Sequence, residues 1–123
     1  MNRQIESIAV SLFTIVVATG CSKGVSYSAD IQPILKEHCL ECHADGGKGQ
    51  LKSGLNMETY AHLMSGTRFG PVIVPGSSVS STLVRLIDHK ADQSINMPHD
   101  KSKIPEAEVA LIKTWIEEGA KNN

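Results

Sequence analysis

The apolar positions of this chain fall into short blocks with helical period. Ile31, Ile34 and Leu35 repeat at i, i+3 and i+4 and predict a first helix over Ser28 to Leu40. Ser28 is its expected N-cap, Asp30 suits the positive first turn, and Pro33 is near enough to the start to be tolerated. A short helix follows from about Glu58 to Met64, with Tyr60, Leu63 and Met64 as packing residues. The serines at 77, 78, 80 and 81 offer N-caps for a third helix carrying Leu83, Val84, Leu86 and Ile87. His89 stands at its C-terminal end, where a cation is favourable, and reads as structural. The last helix is expected from about Pro105 to Glu118, with Pro105 in the first helical position and Gly119 as the stop. Its broad apolar face of Val109, Leu111, Ile112, Trp115 and Ile116 should pack across the first helix.

Between these blocks the periodicity fails. Asp45 to Gly54 is rich in Gly and Lys and reads as a surface loop. Arg68 to Gly76 combines an apolar centre with Pro71 and Pro75, which withhold backbone donors, so it reads as an extended loop wrapped over a hydrophobic surface. Asn96-Met97-Pro98 is also a loop, because Pro98 biases Met97 toward an extended backbone.

The N-terminus reads as an export signal. Arg3 supplies a weak positive start, partly cancelled by Glu6, and Ile8 to Ala18 is an apolar run of 11 residues, too short to span a bilayer. Ala18, Thr19 and Gly20 then precede Cys21 in a pattern that resembles a bacterial lipoprotein signal, with Ala18 where a leucine is usual. Residues 1–20 are therefore assigned to the signal, 21–26 to a polar tether and 27–120 to the folded domain. Cys21 is the expected lipidation site on the periplasmic side of a membrane; ordinary signal cleavage, or a free or disulfide-forming Cys21, is the competing reading.

The chemistry concentrates in Cys39-Leu-Glu-Cys42-His43. This is C-x-x-C-H, the spacing of covalent haem c attachment, and it occurs once. On a helix, positions i, i+3 and i+4 share a face, so both sulfurs and the imidazole can address one flat ligand. A redox C-x-x-C would want a preceding strand, whereas a helical block leads in. A structural zinc site needs four ligands, and no second Cys/His pair at zinc spacing follows. His43 is then the proximal ligand of the iron. For the opposite face Met97 offers a thioether on a loop, with His99 as the main rival; Met57, Met64 and His62 read as packing or solvent-facing residues, and His38 as a surface or propionate-side residue.

Composition agrees with a bound prosthetic group. The 123 residues suit one small domain, and 41% hydrophobic with only 4% aromatic is a thin supply for its core, which a porphyrin would fill. A formal net charge of −1 gives no basic footprint, so nucleic acid is not an expected partner.

A helix running into C-x-x-C-H, a Met-Pro loop and a terminal helix with an aromatic residue resemble a class I mono-haem cytochrome c. The blocks Ile31-Gln32-Pro33-Ile34-Leu35, Gly54-Leu55-Asn56-Met57, the Gly70 to Gly76 loop, Met97-Pro98 and Trp115 to Ala120 resemble, in that order, the planctomycete-type cytochrome c domain family. The resemblance covers residues 27 to 120, with Pro105 in place of the usual Ser cap and Asn56 where an acidic residue is common. It implies an all-α class I cytochrome c fold of about four helices around one haem c, with Cys39 and Cys42 covalently bound and His43 and Met97 as axial ligands. Electron transfer to redox partner proteins, with no small-molecule substrate and no catalysis, is the expected role. A catalytic or gas-sensing haem with a labile sixth ligand, or a membrane-attached interaction module with structural haem, are the other classes.

Overall fold

Hydrogen bonding from the Ala29 N–H to the Ser26 side chain opens the first helical segment, a π-helical turn at Tyr27–Ile31 that leads directly into α1 (Gln32–His38). The computed structural model describes residues 23–123, so the predicted signal segment and Cys21 lie outside the described residues. Ser26, not the expected Ser28, is the cap, because the wider first turn carries the helix start back two residues. α1 also ends two residues before the expected Leu40. Cys39 adopts φ −120°, and a separate turn, α2 (Leu40–His43), restarts the helix.

Asp45 to Gly54, expected to be a loop, contains a helix, α3 (Lys48–Ser53). Its Gly49 costs helix propensity, but neighbouring groups satisfy its ends. Ser53 Oγ donates to the Gly49 carbonyl at 2.7 Å, and Gly54 turns the chain with φ +83°. The Arg68 guanidinium donates to the carbonyls of Leu51 and Lys52, which have no partner within the helix. That cap comes from another segment, which local periodicity does not register.

α4 (Tyr60–Ser65) is capped by Thr59 and buries Leu63, close to expectation. The 68–76 segment is an irregular loop as expected, but it turns at Arg68–Phe69 and again at Pro75–Gly76 instead of running extended throughout; Val72 and Ile73 enter the core. The Leu83 N–H donates to the Val72 carbonyl at 3.0 Å and the Gly76 N–H to the Ile116 carbonyl at 2.7 Å. Ser81 stands at the N-cap of α5 (Thr82–Ile87), yet its buried hydroxyl donates to Ser77 O at 2.8 Å and accepts from the Val74 N–H at 2.9 Å. It pins the loop instead of capping the helix.

α6 (Glu106–Glu117) starts one residue after Pro105, which occupies the N-cap position and not the first helical one. Val109, Ile112, Trp115 and Ile116 are buried as expected, whereas Leu111 is 38% exposed and belongs to the outer face. The helix packs on the π-helical turn and on α5. Tyr27, Tyr60 and Trp115 form the aromatic centre, with Tyr27 5.2 Å from Tyr60 and 5.6 Å from Trp115 between ring centroids. Tyr60 and Trp115 place their polar ends on the carbonyls of Ala120 and Lys121. Among the described residues no strand forms beyond one bridge between Thr67 and Gly70, so the fold is a small all-α domain with six α-helices. None of the described helices is long and apolar enough to cross a membrane.

Candidate functional site

α2 places Cys39, Cys42 and His43 within one turn, as the spacing requires. The His43 N–H donates to the Cys39 carbonyl at 2.9 Å and closes the turn. Both cysteines are free thiols, each half-buried. Burial, with the nearby Cys42 adding to it, pushes the Cys39 thiol up to about 12. A reactive dithiol or a zinc ligand wants the thiolate, which this environment disfavours.

His43 is buried, and its ring nitrogen Nδ1 lies 3.1 Å from the Leu55 carbonyl. A carbonyl only accepts, so the proton sits on Nδ1 and Nε2 keeps its lone pair for a metal. The Met57 N–H in turn donates to the His43 carbonyl at 2.8 Å. Leu55 to Met57 thus holds both the ring and the backbone of His43, while the Leu55 and Met57 side chains are buried in the core. α3 packs against α2, and its Gly49 lies along the imidazole edge. A Cβ there would fall 2.7 Å from Cε1 and 2.8 Å from Nε2 of His43.

Met97 is on a loop, as expected, and that loop is fixed at several points. The Met97 N–H donates to the Leu86 carbonyl at 3.1 Å, and His89 Nε2 donates to the Met97 carbonyl at 3.0 Å. The buried Asn96 side chain accepts from the Ala91 N–H and donates to the Ala91 carbonyl. Beyond Met97, Lys101 pairs with Glu41 inside the C-x-x-C-H turn, so the Met97 loop is tied to the attachment turn itself. That hydrogen bond raises the lysine's pKa and lowers the carboxylate's. Met97 is half-buried and packs, like Cys39 and Leu40, on the core cluster.

The rival donors are placed elsewhere. Met57 is buried and Met64 packs on the core. His62 is exposed, and His99 points outward beside Asp100 at 3.5 Å. His38 accepts no solvent role either, since Nε2 lies 2.7 Å from Glu108 Oε2 on α6. Sequence reasoning missed the Leu55 carbonyl, Gly49, Asn96 and the Glu41–Lys101 pair. Only the Gly54-Leu55-Asn56-Met57 block carried a signal for the first, since a carbonyl acceptor leaves no mark in residue identity.

The donor set fits a covalently attached haem. Two thiols and an imidazole with a free Nε2 share one turn, and glycine leaves the ring edge uncrowded. The arrangement is that of a haem-binding, cytochrome c type domain. The family model described as planctomycete cytochrome C matches residues 39–101, from Cys39 through the Met97 loop to Lys101. The chain belongs to that family. No curated protein and no solved structure matches it.

Gly49 gives the site a direct test. Gly49→Ala should raise helix propensity in α3 yet crowd the His43 edge, and overpacking of this kind costs about 1–3 kcal/mol. The expected outcome is a lower yield of haem-loaded protein and a lower Tm, read by haem absorbance per chain and by thermal melts. Unchanged loading and Tm would show that the edge of His43 has room to spare.

Proposed function

We propose that the protein is an exported one-electron carrier holding one haem c per chain through Cys39 and Cys42, with His43 and Met97 as axial ligands and a lipid on Cys21 holding it at a membrane. The observation that carries the reading is His43, buried beside the two thiols with its proton fixed on Nδ1 by the Leu55 carbonyl. When bound, the haem supplies the Fe(II)/Fe(III) couple. The residues around it set its orientation and access. His43 presents Nε2 with no tautomeric freedom, because rotating the ring away would break the Leu55 bond. Met97 is the matching donor because four hydrogen bonds to α5 and the residues after it hold its loop, and the Glu41–Lys101 pair ties that loop to α2. A thioether there is neutral and soft, favours the reduced state, and leaves no position for substrate or gas. The role left is electron exchange with redox partner proteins.

A potentiometric titration of the purified protein tests this reading. The account expects a single reversible wave with the slope of a one-electron couple and no detectable carbon monoxide adduct of the reduced form. Ready carbon monoxide binding would instead support a catalytic or gas-sensing haem.

The lipid is tested separately. Cys21→Ala should move the protein from the membrane fraction to the soluble exported fraction. A wild-type protein already soluble and without acyl mass would assign ordinary signal cleavage.

A further inference from the structure

Glu37 and His38 end α1, and Glu108 stands in the first turn of α6. One ligand atom from each of the three lies within 4.8 Å of the other two, with His38 Nε2 and Glu108 Oε2 2.7 Å apart. The His38 and Glu108 side chains are only 18% and 30% exposed, so their surroundings already restrict them. A hydrogen-bonded His–Glu pair accounts for two of these groups. It gives no reason for a second carboxylate beside the first, since like charges at this range repel. Among the described residues no lysine or arginine forms an ion pair with Glu37 or Glu108. Lys101, on the neighbouring loop, is engaged by Glu41.

We propose that Glu37, His38 and Glu108 form a binding site for a divalent transition-metal cation of the zinc class, at the junction of α1 and α6 and outside the haem-binding turn. One imidazole with two carboxylate oxygens is a borderline donor set, which suits zinc and its neighbours better than calcium or magnesium. Ligand atoms around a tetrahedral ion at about 2.0–2.2 Å lie about 3.3–3.6 Å apart, so the cation needs His38 and Glu108 to part slightly and Glu37 to swing inward. Glu37 is exposed and free to do so. Three protein donors leave a coordination position for water. An open cleft of about 550 Å³ adjoins the site, lined by Glu37 and His38 with Pro98, Asp100, Lys101 and Lys103 among its other walls, and gives that water room. Binding replaces the His38–Glu108 hydrogen bond with ligation to a cation that neutralises both carboxylates. Because His38 immediately precedes Cys39, the cation would sit next to a haem-attachment residue; the binding itself does not depend on which ligand occupies the sixth position of the iron.

The test is calorimetric titration of the chelator-treated, haem-loaded protein with zinc chloride. The wild type should bind one zinc per chain and gain Tm on saturation. Glu37→Gln, at an exposed position, should fold normally and bind at least tenfold more weakly, and His38→Gln at least a hundredfold more weakly. His62→Gln and His99→Gln should bind as wild type. Absence of zinc binding by the wild type, equal affinity in Glu37→Gln and His38→Gln, or loss of binding in His99→Gln would each overturn the site. None of these outcomes bears on the redox wave, so failure here is separate from failure of the electron-transfer reading.

Discussion

Replacing Cys39 and Cys42 together with Ala is expected to remove covalent haem completely. Denatured wild-type chain should carry haem absorbance and one haem of added mass, and the double variant neither. The loss extends to stability. A covalent haem stays on the unfolded chain as well, so its stabilising effect comes from the apolar surface it buries and the ligation it gains only in the native state, and the 4% aromatic content leaves few large side chains to take its place. Losing about 3 kcal/mol in a domain of this size corresponds to about 12–24 °C in Tm. Melts followed by circular dichroism check this. A double variant that is haem-free yet melts like the wild type would favour an interaction module in which the described core, centred on Trp115, Ile116 and Leu63, suffices alone.

Met97→Ala is the second large effect, and it acts on chemistry more than on folding. The loop should survive, since its hydrogen bonds to Leu86 and His89 run through the Met97 backbone and the Asn96 clamp is untouched. The iron should lose its thioether, the reduction potential should fall, and the reduced protein should bind carbon monoxide. Met57→Leu and Met64→Leu should leave the spectrum unchanged, because both side chains are engaged in packing. His99→Ala should do the same, as its ring is more than half exposed. A Met97→Ala protein with the wild-type spectrum would assign the sixth ligand elsewhere.

How far the sequence spoke depended on whether a feature is local. The grouping of Cys39, Cys42 and His43 was legible because i, i+3 and i+4 spacing on helical backbone brings three side chains together, and the structure keeps them on one turn. Met97 was legible as a loop residue through Pro98. α6 was legible through its apolar stripe, apart from Leu111, which sits at the stripe's edge and faces out. α3 was not, because glycine-rich sequence argues against a helix and its decisive cap, Arg68, comes from a separate segment. The choice of Ser26 over Ser28 depended on a π-helical first turn, which two equally good capping residues do not reveal. The clamp on His43 uses the carbonyl of Leu55 and the N–H of Met57, groups that every such residue carries. The tie between Glu41 and Lys101 joins two charged residues far apart in the chain, each of which alone reads as solvated surface.

The measurement that bears most directly on the whole reading is the absorption spectrum of the purified wild-type protein, oxidised and reduced, out to the near infrared and before and after denaturation. The account predicts a haem that stays with the chain when unfolded, low-spin spectra in both states, and in the oxidised protein the weak near-infrared band of methionine bound to ferric iron, absent in Met97→Ala. Haem that separates from the denatured chain would contradict attachment through Cys39 and Cys42. A high-spin oxidised spectrum without that band would contradict ligation by Met97.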